Sequence, residues 1–191
     1  MKTKKVILTV AAMALVAVVA VSATFAYLTS ITGPVKNTFT VGEVKITLDE
    51  VKVDEYGVPV TPETRVTENT YKLLPGHTYT KDPTVHVLAG SEASWVFVKV
   101  KDDIAAIEDT KTVEDQILDN GWTKLDGQTG VYYKPQDAVS VDTPLDVFGN
   151  FKIKSDADVS TYEDKTITII AYAIQKDGFD NDPAGAWAAL Q

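Results

Sequence analysis

The sequence predicts an all-β protein, built as an antiparallel two-sheet β-sandwich with one or two short inserted helices. About eight short runs of β-forming residues recur at fairly regular spacing, with turn residues between them. One strong helix signal lies among them, so the alternation of strands and helices that marks a parallel sheet is absent. No internal repeat is visible. Periodicity alone does not separate a jelly-roll strand order from an immunoglobulin-like one.

The N-terminus predicts a secretory signal helix. A lysine-rich pentapeptide precedes residues 6–21, which are all apolar except for one threonine. A helix of that length rises about 24 Å, which is short of the ~30 Å hydrocarbon core of a bilayer. Small residues at Thr24 and Ala26 predict cleavage between Ala26 and Tyr27. The alternative is an uncut membrane anchor that extends through Leu28.

Cleavage at this point predicts three segments: 1–26 is the signal peptide, 27–39 an N-terminal arm, and 40–191 one β-sandwich domain. Losing three lysines leaves 15 of 18 basic residues against 27 acidic ones, so the net charge changes from −9 to −12. An acidic surface disfavours nucleic acid as a partner. There is no cysteine, which excludes disulfides, thiolate metal sites and a cysteine nucleophile.

The first strand is predicted by alternation of apolar and polar residues from 43 to 53. Turn residues at 56–59 end it, and 59–69 is predicted to be a loop. Pro75 and Gly76 predict a turn with a short strand on each side, because proline and glycine suit its two central positions. Residues 94–100 are apolar on both faces, which predicts a central strand.

A capping box at 112–115 predicts a short helix that ends at Asn120-Gly121. Its apolar face is predicted to comprise Val113, Ile117 and Leu118. Residues 122–134 then predict a β-hairpin with a glycine-containing turn.

The last third of the chain predicts two strands and a helix. Residues 145–153 alternate in polarity, and the β-forming run 166–175 is apolar on both faces, which predicts an interior strand. Asp182 followed by proline predicts the start of a final short helix. Its register brings Trp187 and Leu190 together.

Candidate sites for chemistry are few. His77 and His86 are isolated, and neither a zincin motif nor a nucleophile elbow occurs. The weak calcium candidates are Asp177, Asp180 and Asp182, whose spacing lacks EF-hand order, so that turn and helix-capping roles are favoured. A sugar-binding face was considered for four aromatic residues, but packing in the core and hairpin is favoured: these are Trp95, Trp122, Tyr132 and Tyr133.

Four stretches resemble the biofilm-fibre proteins related to TasA and camelysin, which are exported with a dedicated signal peptidase called SipW. They are ATFAYLTS (23–30), NTFTVGEVKITLDE (37–50), LLPGHTYTKDPTVHV (73–87) and IIAYAIQKDGFDNDPAGAWAAL (169–190). The chain departs from the family's pattern at Ser30 and His77, where family members often have acidic residues.

The resemblance implies a jelly-roll-like subunit of Gram-positive biofilm-matrix or cell-surface fibres, secreted and not an enzyme. Its partners would be copies of itself, the signal peptidase, and accessory matrix or anchor proteins, with membrane contact only before cleavage. Freed by cleavage, the arm would donate a strand to the next subunit, since edge strands need hydrogen-bond partners. The residues assigned to this arm are Tyr27, Leu28, Ile31, Val35 and Phe39.

Two alternatives remain open from the sequence. One is a camelysin-like surface metallopeptidase, although two isolated histidines without a glutamate base make a poor zinc site. The other is a monomeric, membrane-anchored surface-binding module. No cofactor is expected, apart from the weak calcium candidates.

Overall fold

The computed structural model describes residues 42–191, which lie within one compact unit. The predicted signal peptide, the cleavage site at Ala26 and Tyr27, and the arm residues Leu28, Ile31, Val35 and Phe39 lie outside the described residues. These assignments therefore stay predictions.

Ten β-strands, two α-helices and one 3₁₀ helix make up the described part of the chain. The strands are β1 Ile46–Val51, β2 Arg65–Val66, β3 Thr78–Thr80, β4 Thr84–Val87, β5 Ser94–Asp102, β6 Thr123–Lys124, β7 Val131–Gln136, β8 Thr143–Asp146, β9 Asn150–Lys152 and β10 Ile167–Gln175. The helices are α1 Val113–Asp119 and α2 Pro183–Ala188, and the 3₁₀ helix is Ala105–Ile107.

The strands form antiparallel sheets, which confirms the all-β prediction. One sheet has the order β2-β1-β4-β8, the second has the order β10-β5-β7-β6, and β3 pairs with β9 in a small third sheet. Every strand pair among residues 42–191 is antiparallel.

The main core lies between the two four-stranded sheets. Val85 and Val87 of β4 meet Val96 and Val98 of β5 in one cluster, and all four are fully buried. Burial of each such side chain contributes roughly 1.5–3 kcal/mol relative to exposure. The shared cluster therefore holds the two sheets face to face.

A second apolar cluster covers the outer face of the β10-β5-β7-β6 sheet. Trp187 of α2 is 4% exposed, and its ring lies 5.3 Å from that of Phe97 and 5.2 Å from that of Tyr172. Leu190 packs on the same cluster, as the predicted helix register requires. The four aromatic residues considered for sugar binding are buried or half-buried instead.

The capping box of α1 is present as predicted. The backbone N–H of Asp115 donates to Thr112 Oγ1 over 3.2 Å, and the Thr112 N–H donates to Asp115 Oδ2 over 2.9 Å. Val113 and Ile117 are buried, but Leu118 is 44% exposed. The prediction that Leu118 shares the apolar face was wrong, because only the Val113 side of this short helix meets the core.

Two strand predictions differ from the structure. No strand precedes the Pro75-Gly76 turn, because the Tyr79 hydroxyl donates to the Lys72 carbonyl over 2.6 Å and accepts the Leu74 N–H over 2.7 Å. Residues 145–147 and 151–153 alternate in burial, but the alternation breaks between them, where Phe148 is buried and Gly149 is exposed, and the run divides into β8 and β9 of different sheets. Alternation reports which face a residue occupies, and it does not identify the sheet.

Replacing Trp187 with alanine tests the role of α2. We expect the W187A variant to lose about 3 kcal/mol or more of unfolding free energy, because a large cavity opens over β5 and β10. Chemical denaturation of the purified protein measures this. Leu118→Ala is the matched control, and a change within about 0.5 kcal/mol is expected at that exposed position. A similar loss in both variants would contradict the covering role of α2.

Candidate functional site

Strand β10 lies at the edge of its sheet, so the prediction of an interior strand was wrong. Residues 167–175 pair with 102–94 of β5 along their whole length, and no other described strand pairs with β10. It is apolar on both faces because one face packs on the main core and the other on the cluster around α2. Burial of two faces does not require two neighbouring strands.

This edge lacks the features by which proteins usually protect an exposed strand. Its sequence, ITIIAYAIQ, contains no charge and no proline, and its pairing with β5 has no bulge. The other outer strands of the four-stranded sheets are short or interrupted: β2 and β6 have two residues each, and β8 contains Pro144. Among residues 42–191, β10 is therefore the edge best suited to accept another strand.

A cavity of about 1080 Å³ opens beside the N-terminal end of β10. Strand β1 forms part of its opposite wall, and no strand within residues 42–191 pairs with 46–49 of β1 on the side away from β4. Lining residues include Leu48, Tyr71, Leu73, Val159, Tyr162, Ile167 and Ile169. The cavity thus joins a partly apolar lining to an open backbone edge.

An ion-pair network stiffens the β1 side of the cavity. The Arg65 guanidinium binds Asp49 over 2.7 Å and Asp82 over 2.8 Å, and His86 Nε2 lies 3.0 Å from Asp49 Oδ1. Partial desolvation acts to raise the pKa of Asp49, but the hydrogen bonds and charges of Arg65 and His86 outweigh it. The pKa of Asp49 is therefore lowered, which keeps this carboxylate ionised.

A more deeply buried polar group lies on the same wall. Glu50 is 5% exposed and Lys81 is 8% exposed, and the Lys81 ammonium donates to Glu50 Oε2 over 2.6 Å. Asn69 donates to the other oxygen of Glu50 over 2.9 Å. Burial, and then the nearby charge of Glu50, raise the pKa of Tyr71. Sequence analysis missed this group, because its members are distant in the chain and form no motif.

A second buried carboxyl lies at the end of β5. Glu108 is 3% exposed; its Oε2 accepts the Val113 N–H over 2.9 Å, and its Oε1 has no hydrogen-bond partner. Desolvation raises the pKa of Glu108 to about 7, and the neighbouring charge of Asp102 adds to this effect. Asp102, the last residue of β5, is partly buried; desolvation raises its pKa, and its side chain accepts the N–H of the cavity-lining Ile104.

The calcium candidates do not come together as a ligand set. Asp177, Asp180 and Asp182 are exposed, and Asp182 accepts the Gly185 N–H over 2.8 Å as the cap of α2. No three His, Asp or Glu side chains in the described part of the chain are placed to hold a metal ion.

The two histidines have ordinary hydrogen-bond partners. His77 Nε2 lies 2.9 Å from the Tyr56 carbonyl, whereas His86 binds Asp49. Within residues 42–191, no helix combines the length and apolar character that a bilayer span needs.

The buried carboxyl of Glu108 predicts a pH dependence of stability. Below pH 4.5 the group is mostly neutral in both states; between pH 4.5 and about 7 it is ionised in the unfolded chain but still protonated in the folded one, so that unfolding releases a proton. Folding stability is therefore lost as the pH rises across this window. We expect the Glu108→Gln variant to retain up to about 3 kcal/mol of the unfolding free energy that the wild-type protein loses between pH 4.5 and about 7. Denaturant titrations at a series of pH values measure this difference.

The exposed Glu55 provides the control for this experiment. Glu55→Gln is expected to change the pH profile by less than about 0.5 kcal/mol. If the wild-type protein and the E108Q variant lost stability equally as the pH rose, Glu108 would not be the responsible group.

Comparison with known proteins adds no relative. No family model, no curated protein and no solved structure matches this chain. The resemblance to the TasA and camelysin family stays a prediction that rests on the four motifs.

Proposed function

We propose that this protein is the secreted, jelly-roll-like subunit of an extracellular biofilm-matrix or cell-surface fibre, and that its copies assemble by strand donation. Residues 27–39 of one copy add to the free edge of β10 in the next. The observation that carries the proposal is that edge: nine uncharged residues, paired on one side only among the described strands. The open head-to-tail geometry of such contacts propagates a filament.

The arm has the polarity pattern of a strand that buries one face. In an extended conformation, Tyr27, Ile31, Val35 and Phe39 fall on one side, because their positions differ by even numbers. The opposite side is mostly polar and includes Lys36. An apolar face of this kind suits the apolar lining of the cavity beside β10.

The lengths of the two partners also agree. Thirteen residues, 27–39, span about 43 Å when extended, whereas the nine residues of β10 span about 30 Å. The arm can therefore cover the whole edge and still leave a few residues as a connection. These remaining residues link the bound arm to the folded domain of its own subunit, which stays outside the cavity of the acceptor subunit.

Charge supports the same pairing. Lys36 is the one charged residue of the segment 27–39. The cavity lining contains more acidic than basic residues: Asp49, Glu50, Glu68, Glu163 and Asp164 against Lys81 and Lys165. A basic arm is thus attracted to an acidic acceptor, although the two bodies as a whole are acidic and repel each other.

Removal of the arm tests the proposal directly. Protein that begins at Tyr27 is expected to form filaments, whereas protein that begins at Thr40 is expected to stay monomeric because its free edge receives no donor. Negative-stain microscopy and size-exclusion chromatography measure the two outcomes. Equal assembly by both forms would remove the strand-donation mechanism.

A synthetic peptide distinguishes specific docking of the arm from nonspecific hydrophobic binding. A peptide of residues 27–39 is expected to bind the protein that begins at Thr40 and to stop filament growth of the longer form. The matched control carries Ile31→Asp and Val35→Asp, which place two charges on the apolar face, and it is expected to bind at least tenfold more weakly. Fluorescence anisotropy of labelled peptides measures the affinities, and equal binding of both peptides would contradict docking of the apolar face.

The alternatives predict different results in the same experiments. A monomeric surface-binding module would remain monomeric from Tyr27 onward, at every concentration. Nothing in residues 42–191 favours the metallopeptidase, since no acidic and histidine side chains there converge on a metal position.

A further inference from the structure

The buried polar group on the cavity wall has the composition and contacts of a self-reacting site. Glu50 holds two nitrogen atoms at once: Lys81 Nζ at 2.6 Å from one carboxylate oxygen, and Asn69 Nδ2 at 2.9 Å from the other. An amine, a carboxamide and a carboxylate that contacts both are the components needed to convert the amide into a new amide bond. We propose that Lys81 and Asn69 join in an isopeptide bond, with Glu50 as the proton-transfer catalyst.

The asparagine side chain is held in one orientation. Its Oδ1 accepts the Val53 N–H over 3.0 Å, and its Nδ2 also donates to the Val51 carbonyl over 2.8 Å. Donor and acceptor partners on opposite ends of the amide fix which atom is nitrogen and which is oxygen. The Val53 N–H is therefore directed at the oxygen on which negative charge develops when a nucleophile attacks Cγ.

The surroundings favour proton transfer between the lysine and the glutamate. Glu50 and Lys81 are 5% and 8% exposed, and Lys81 Nζ lies 5.9 Å from the centre of the Tyr71 ring. Tyr71 itself packs edge-on against Tyr79 and Phe151. Because the two groups are in direct contact and largely shielded from water, a proton can pass between Lys81 Nζ and Glu50 Oε2 without a bridging molecule.

The atoms and protons of the reaction balance without any co-reactant. Lys81 first gives a proton to Glu50, and the freed lone pair forms a bond to Cγ of Asn69 while the C=O electrons move to Oδ1. The carbonyl then re-forms and the Cγ–Nδ2 bond breaks. Lys81 Nζ loses two protons in all, and both end on the departing nitrogen. The first reaches it through Glu50, which returns to a carboxylate, and the second completes the ammonium ion that leaves.

The product would tie together the two ends of the segment 69–81. This segment includes Tyr71 and Leu73, which line the cavity beside β10, and the cavity offers ammonia a path to solvent. A covalent cross-link removes conformational freedom from the unfolded chain and holds this wall in place. The bond forms within one chain, so it does not depend on fibre assembly.

Intact mass spectrometry of the purified secreted protein tests the proposal, after its N-terminus has been sequenced. The wild-type protein is expected to be lighter than its sequence requires by one ammonia molecule after prolonged incubation at neutral pH. The Lys81→Arg and Glu50→Gln variants are each expected to have the mass calculated from their sequences, with no loss of ammonia. Fragmentation of a proteolytic digest should find one branched peptide in which Lys81 is bonded to Asn69.

Three results would overturn the bond. The first is a wild-type mass equal to the mass calculated from the sequence. The second is a loss of one ammonia that persists in the K81R variant. The third is a digest that contains Lys81 and Asn69 only in separate linear peptides. The second result would assign the lost ammonia to a cyclic imide elsewhere, for which the Asn120-Gly121 pair is the obvious position. Because the digest examines the wild-type chain, the test holds even where a variant folds poorly.

Discussion

Among the described strands, β10 is paired on one side only, and the backbone N–H and C=O groups on its other side need hydrogen-bond partners. One face of the strand packs on the main core, and the other packs on the Trp187 cluster at Tyr172 and Ile174, whereas Ile170 is 47% exposed. Its open edge, in contrast, has neither a charge nor a proline to discourage a new strand. In the assembly that we propose, a strand donated by another copy would pair with this edge and leave the existing packing unchanged.

The β1 side of the cavity explains why the acceptor can stay open without collapsing. Arg65 connects Asp49 of β1 to Asp82, and Glu50 connects Lys81 to Asn69, so three separated segments are held in position by polar contacts. Buried ion pairs of this kind contribute modestly to stability, because desolvation offsets most of their attraction. Their geometric effect is larger. They fix the position of β1 and its neighbours along one wall of the cavity, whose lining is part apolar and part polar.

Features of the fold that depend on a few adjacent residues could be predicted from the sequence. The capping box at Thr112 and Asp115 contains the complete signal for the start of α1, and Asp182 followed by Pro183 does the same for α2. The central position of β5 was also predicted correctly from its continuous apolar character, although the same character in β10 belongs to an edge strand.

Features that depend on distant residues were missed or wrong. The run 167–175 looks like an interior strand because the covering layer supplied by α2 produces the same apolar pattern as a buried sheet. Residues 145–153 look like one strand in the sequence, but the chain crosses from one sheet to another at Phe148 and Gly149, where the alternation of burial breaks. Glu50, Asn69 and Lys81 come together only through the fold, and no local spacing marks them.

Amide hydrogen exchange of β10 tests the central claim most directly. In an antiparallel edge strand, alternate N–H groups point away from the paired neighbour, so about half of the amides in 167–175 should exchange rapidly in protein that begins at Thr40. The account predicts that these amides become protected when the peptide 27–39 is added, while the β5 amides are unchanged. Full protection of the β10 amides before any peptide is added would contradict it, because the edge would then already have a partner.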